Sequence, residues 1–180
     1  VRVQWAQAAK TEPGGEIELM EVQLRGDKHA GQHAHDAPNN GGNHETPDNA
    51  VIEFDPAMVQ PVDNVNGFQI AGIGPDPTFG QVACKLGRTT GYSCGVTWGP
   101  GDVPGTILNQ VCGQPGDSGA PVTVNNQLVG MIHGAFTNGL PTCIVKYVPL
   151  HTPAVTVSIN AVLSDLDAKN RPGAGFVPIP

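Results

Sequence analysis

Apolar and polar positions along this chain alternate over short stretches, mostly with a period of two. Val1-Arg2-Val3-Gln4-Trp5 alternates cleanly, as a half-buried strand does. Between Ile17 and Leu24 the apolar set runs Ile17 and Leu19, then shifts phase to Met20, Val22 and Leu24. A strand carrying a bulge produces that shift. Ala50 to Phe54 reads as a short strand stopped by Pro56. Further strands are predicted over Phe68 to Ile73, Gly80 to Leu86, Gly95 to Trp98, Thr106 to Leu108, Pro121 to Val124, Leu128 to Ile132 and Cys143 to Val148. Turns of Gly, Pro and Asn separate them, which implies a β-sandwich or barrel.

Two stretches break the pattern. Residues 25–47 are rich in His, Gly, Asn and Asp and nearly lack large apolar side chains, so a long exposed loop is expected there. Near the other end, Ile159, Val162, Leu163 and Leu166 recur at helical spacing behind Ser158, a suitable N-cap. Asn170-Arg171-Pro172-Gly173 supplies the stop. The prediction is an otherwise all-β body with one C-terminal helix, followed by an extended tail.

Composition narrows the function classes. At 180 residues the chain fits one domain or two small joined halves, and 24 Gly, 17 Pro and only 14% charged residues suit a loop-rich β protein. A formal charge of −7 without a basic patch argues against nucleic acid and anionic membrane as partners. No apolar run approaches the length of a membrane span. With no initiator Met and no signal peptide, a processed or truncated chain is the simplest expectation. Four cysteines allow three pairings. Cys84 and Cys94 bracket Gly87-Arg88-Thr89-Thr90-Gly91, so a hairpin closed by a local bridge is natural, leaving Cys112 for Cys143. Two bridges imply an oxidising compartment and hence secretion.

The stretch with most chemistry is Gly113-Gln114-Pro115-Gly116-Asp117-Ser118-Gly119-Ala120, followed by Pro121-Val122. Three glycines and a proline make a tight turn that presents one hydroxyl. Such a turn can aim the N–H groups of Gly116 and Ser118 at one spot beside Ser118, as acyl transfer requires of an oxyanion site. The plainer alternative is an ordinary Gly/Pro turn between strands. A serine nucleophile also needs a base, usually a His oriented by a carboxylate. Asp48, in Thr46-Pro47-Asp48-Asn49-Ala50-Val51-Ile52, is the candidate carboxylate, although Asp after Pro is equally an ordinary turn residue.

Three motifs occur in order: Asp48 before Ala50-Val51-Ile52, Cys84-Lys85-Leu86-Gly87-Arg88-Thr89-Thr90-Gly91-Tyr92-Ser93-Cys94-Gly95, and Cys112-Gly113-Gln114-Pro115-Gly116-Asp117-Ser118-Gly119-Ala120-Pro121. Together they resemble the secreted bacterial chymotrypsin-like serine proteases, the streptogrisin and α-lytic group, over roughly residues 46–167. The resemblance implies a double β-barrel with the active site between the barrels. Residues 1–74 would be what is present of an incomplete N-terminal barrel, 75–172 the C-terminal barrel with its helix, and 173–180 a tail. It implies Ser118 as nucleophile, Gly116 and Ser118 as oxyanion donors, and Asp48 as the residue orienting the base. It pairs the cysteines 84–94 and 112–143. It places Asp117 beneath the turn with a cationic partner, matched by Lys85 or alternatively Arg88. His133-Gly134-Ala135 resembles the edge that binds substrate backbone and walls the specificity pocket, with His133 a departure from the usual Ser and Ala120 from the usual Gly. The implied function is a serine endopeptidase acting on peptides or proteins without a cofactor.

The family's histidine segment has no match between Val1 and Pro47. Three sources stay open: a segment upstream of Val1, such as a cleaved N-terminal fragment of the same precursor; a loop histidine, His44 or His29; or none. In the last case the chain is an inactive homologue that binds a partner. Within the loop, His29, His33, His35 and Asp36 supply metal donors, but no apolar residue anchors them. No metal site is expected.

Overall fold

The computed structural model describes residues 63–136, 140–170 and 174–176, and, by backbone alone, four strands within residues 1–62. Those four make two antiparallel pairs. β1 (Ala8–Thr11) pairs with β2 (Ile17–Met20), and β3 (His33–Asp36) pairs with β4 (Ala50–Glu53). β4 and the start of the bulged strand fall where the alternation puts them. β3 does not: residues 33–36 belong to the stretch expected to be a loop. Pairing with the apolar β4, with His35 opposite Val51, gives this polar tetrapeptide a ladder that its own sequence does not announce. Val1 to Trp5, and the rest of 25–47, lie outside the described residues.

β5 (Asn64–Val65) and β6 (Phe68–Gln69) form a small hairpin across Asn66-Gly67, whose φ values of 51° and 83° are those of the tight turn that Asn-Gly favours. β7 (Gly72–Ile73) follows. Six strands then close a barrel: β8 (Val82–Gly87), β9 (Gly91–Pro100), β10 (Thr106–Asn109), β11 (Pro121–Val124), β12 (Gln127–Ala135) and β13 (Ala154–Ser158). Their order is β11-β8-β9-β10-β13-β12, and β11 pairs with β12 to shut the ring. β7 adds to β12 in parallel at Leu128. A second tight turn, Asn125-Asn126 with both φ positive, reverses the chain between β11 and β12.

Closure decides which side chains point inward. Ala83, Val111, Val122, Val129 and Ile132 share the apolar interior. In β9 the usual division is reversed: Ser93 and Thr97 are buried, while Tyr92, Val96 and Trp98 face outward. The outer Trp98 donates its indole N–H to Gln110 Oε1 at 2.8 Å and packs 6.0 Å from the Phe79 ring. Inside, the Asn109 amide N–H donates to the Thr156 hydroxyl at 2.7 Å, which links β10 to β13.

One predicted strand is absent and one unpredicted strand takes its place. Residues 143–148 are turns and bends, with the Val148 N–H bonded to Val145 C=O at 3.0 Å. The barrel is completed instead by β13, whose Val157 faces Thr106 on one side and Met131 on the other. Its β-branched run passes without a break into the helix α1 (Ile159–Ala168), which hid the boundary. Ser158 ends the strand and caps the helix, its hydroxyl accepting from Ala161 N–H at 3.2 Å and donating to Asp76 Oδ1 at 2.6 Å. Val162 and Leu166 pack on Met131 and Val157.

Candidate active site

Two successive turns make the site. In the first, Asp117 N–H donates to Gln114 C=O at 2.9 Å across Pro115-Gly116. In the second, Ala120 N–H donates to Asp117 C=O at 3.0 Å across Ser118-Gly119. Gly116 and Gly119 each hold the third position with φ of 99° and 83°, the sign a type II turn requires there. Ser118 therefore sits on an outer corner and is exposed. Gly119 N–H bonds to Ile132 C=O at 2.7 Å and Ile132 N–H to Ala120 C=O at 2.9 Å, so β12 holds the corner in place.

The N–H groups divide into two sets. Those of Asp117 and Ala120 close the two turns, and that of Gly119 is taken by Ile132 C=O on β12. Those of Gly116 and Ser118 have no acceptor among the described residues. Two unspent donors thus flank an exposed hydroxyl, and that hydroxyl has no hydrogen-bond partner among the described residues.

Beneath the corner the Asp117 side chain is fully buried, and so is that of Lys85, whose ammonium lies 3.1 Å from Asp117 Oδ2. Four further donors close around the carboxylate. Thr89 N–H at 2.8 Å and Thr90 N–H at 3.1 Å reach Oδ1; Gln114 N–H at 3.0 Å and the Thr90 hydroxyl at 2.6 Å reach Oδ2. Burial pushes the Asp117 pKa up, but the hydrogen bonds from Thr90, Gln114 and Lys85 outweigh it and hold the group below the ordinary carboxylate range. Burial lowers the pKa of Lys85 below that of an ordinary lysine, against the opposing pull of Asp117. Gly87 makes room for the pair, because a Cβ there would lie 2.3 Å from Asp117 Oδ1.

Of the two cations offered by the sequence, Lys85 is the one at Asp117; Arg88 lies exposed in the turn above it. Cys84 and Cys94 face each other across β8 and β9 and are bonded, and Cys112 is bonded to Cys143. The second bridge draws the 140–150 segment up to the serine corner, and Gln114 Nε2 donates to Cys143 C=O beside it. His133 occupies a break in register between Ile132 and Gly134, on the solvent side, one residue past the backbone bonds that hold Ser118. Gly134 and Ala135 then pair with Val155 and Ala154. Asp48, His29 and His44 lie outside the described residues. His33 and His35 stand on β3.

Sequence reasoning gave no separate role to Thr90, Gln114 or Gly87. Thr90 carried a usable signal, since a Thr-Thr pair at a turn offers two N–H groups and two hydroxyls to a nearby buried acid. Gln114 carried none, because its side-chain partner is a carbonyl 29 residues away.

No family model matches the chain. Among curated proteins, Streptogrisin-C of Streptomyces griseus is 34% identical over 67 residues, which is 33% of this chain and 15% of that protein. The chain therefore matches only a small part of that relative's length. Among solved structures, the chymotrypsin of Cellulomonas bogoriensis superposes with a TM-score of 0.53 at 26% identity, covering 69% of this chain and 67% of that one. Protease A of Thermobifida fusca gives 0.52 at 22% identity over 67% and 66% of the two chains. A glutamic acid specific serine protease, described as using a histidine triad in substrate binding, gives 0.53 at 18% identity over 69% and 66%. The last two carry the fold alone.

Proposed function

From the premise that the chain belongs with the bacterial chymotrypsin-like serine proteases, we propose that it is a secreted endopeptidase acting through an acyl-enzyme on Ser118. The observation that carries this reading is the exposed Ser118 hydroxyl between the unspent N–H groups of Gly116 and Ser118, on a corner anchored by a buried, ion-paired Asp117. Ser118 Oγ adds to the scissile carbonyl while an imidazole oriented by Asp48 takes its proton. The carbonyl oxygen, now negative, receives the two N–H groups. The C–N bond then breaks as the imidazolium returns the proton to the leaving amine. Water, deprotonated by the same imidazole, releases the acid and restores Ser118. Donors fixed before the reaction need no rearrangement as charge develops, and each such donor is worth roughly 100- to 1000-fold in rate. The disulfides Cys84–Cys94 and Cys112–Cys143 suit an extracellular setting.

The test is hydrolysis of an internally quenched peptide by the chain and by Ser118→Ala. Cleavage that disappears with the hydroxyl is expected; cleavage unaffected by its removal overturns the assignment.

A second reading has one observation in its favour. The Ser118 hydroxyl touches no imidazole among the described residues, as in a homologue that binds peptides without cutting them. Peptide binding with no turnover and no Ser118 reactivity is what that reading predicts.

A further inference from the structure

We infer that His33 and His35 of β3, together with Glu53 of β4, form a site for one divalent transition-metal ion, zinc by its donor set.

The inference rests on the register of the β3–β4 pair. The ladder sets His33 opposite Glu53, Ala34 opposite Ile52, His35 opposite Val51 and Asp36 opposite Ala50. Residues two apart on a strand share a face, and so do residues directly opposite each other. One face of the ribbon therefore carries His33, His35, Val51 and Glu53, and the other carries Ala34, Asp36, Ala50 and Ile52. Register thus changes the donor set that the sequence offers. Asp36, the carboxylate adjoining the histidines in the chain, falls on the other face. Glu53, remote in the chain, joins them.

The spacing suits a single ion. Alternate residues of a strand stand about 7 Å apart. Directly opposite residues have β-carbons about 4.5–5.5 Å apart, as at His33 and Glu53, and diagonal neighbours such as His35 and Glu53 are about 7–8 Å apart. An imidazole or a glutamate carboxylate spans half of such a gap and still meets a metal at about 2.0–2.2 Å.

Anchoring is what the histidine tract lacks in its own sequence. The structure supplies it through β4, whose Ala50-Val51-Ile52 run pairs with β3 along its length. Two ligands two residues apart on a paired strand hold a fixed separation, which a loop does not impose. Two imidazole nitrogens and one carboxylate oxygen are a set that zinc accepts, with the fourth tetrahedral position left to water. Calcium and magnesium take oxygen donors and would leave both histidines unused. All four cysteines are in disulfides, so no thiolate competes for the ion. A formal net charge of −7 also favours a cation. An ion held by both strands ties together the two ends of residues 37–49, the connection that carries Asp48.

The experiment titrates Zn²⁺ into the whole chain, freed of metal by a chelator, with calorimetry as the readout. One saturable site per chain is expected. Losing a partner that merely orients a ligand costs about 10- to 100-fold in metal affinity, so H33A/H35A, which removes two direct ligands, should cost at least about 100-fold. Glu53→Gln should cost at least about tenfold. Asp36→Asn, on the other face, should leave the affinity as it was. Circular dichroism of the metal-free variants checks that they fold as the parent does. Hydrogen exchange gives a second measurement: zinc should slow the amides of β3 and β4. No saturable binding, binding that survives H33A/H35A, or no effect of Glu53→Gln overturns the site. So does a loss in Asp36→Asn or H29A/H44A as large as in H33A/H35A, which would mean that the tract chelates as a loose chain. Unaltered exchange in β3 and β4 overturns it as well.

Discussion

The ammonium of Lys85 and the carboxylate of Asp117, 3.1 Å apart and both shut off from solvent, make the floor on which the Ser118 corner stands. Asp117 adjoins Ser118 in sequence, so any shift of its side chain moves the nucleophile and the Gly116 and Ser118 donors with it. Removing one partner from such a pair leaves an uncompensated buried charge. Lys85→Met should therefore cost roughly 3–5 kcal/mol of stability, while K85M/D117N recovers part of the loss. Denaturant melts of the two variants check this. A single variant as stable as the parent would show that the pair is not the floor.

Acid should act through the same carboxylate. The folded pKa of Asp117 lies below the 3.8 of an ordinary aspartate, so its contribution is fully present above that pH. It is lost as pH falls through the lower folded value. Lys85 has a dependence of the same sign in a higher window. Its folded pKa lies below 10.5, so in the window beneath 10.5 the unfolded chain binds more protons and stability from this group rises with pH. Melting temperatures from pH 2 to 7 and from pH 8 to 11 should show the acid limb diminished in Asp117→Asn and the alkaline limb diminished in Lys85→Met.

The Gly116 position tests the donors. Its φ of 99° is unfavourable for a residue with a Cβ, and that Cβ would lie 2.3 Å from Thr89 Oγ1. Gly116→Ala should tilt the Gly116 N–H and lower the hydrolysis rate roughly 100-fold or more. KM should change far less, since the donors act on the developing oxyanion. A loss confined to KM would assign Gly116 to substrate binding instead.

The helix start offers a test away from the site. Ser158 caps α1 and bonds to Asp76, and Asn160 also donates to Asp76 at 2.9 Å. Ser158→Ala should cost about 1 kcal/mol in a urea melt and leave Ser118 reactivity unaltered. Reactivity that falls with the cap would mean the helix end supports the active corner.

The Cys112–Cys143 bridge closes a long loop, with a sequence separation of 31. C112A/C143A should lower stability by roughly 2–4 kcal/mol in a denaturant melt, because the unfolded chain is no longer held by the bridge. Unchanged stability would show that the bridge constrains the unfolded chain little.

Much of this was legible in the chain, and the limits have physical causes. Turn chemistry is local, so Pro115, Gly116 and Gly119 announce the serine corner by themselves. The helix is equally local, from Ser158 through Leu166. Strand identity is not local. Residues 143–148 and 154–158 are similarly apolar, and only the closure of the barrel, with Val157 between Thr106 and Met131, chooses between them. β3 is a strand because β4 pairs with it, which no reading of His33-Ala34-His35-Asp36 supplies. The cage around Asp117 joins residues from positions 85 to 117, so its floor was anticipated from family resemblance while the roles of Thr90 and Gly87 were not.

Reaction of the whole chain with a fluorophosphonate, read by intact mass and peptide mapping, tests the central claim most directly. A single adduct on the Ser118 hydroxyl, absent from Ser118→Ala and strongly reduced in Gly116→Ala, is the predicted result. A chain that stays unlabelled with both disulfides intact, or one labelled at another residue, would contradict the account of Ser118 as the nucleophile.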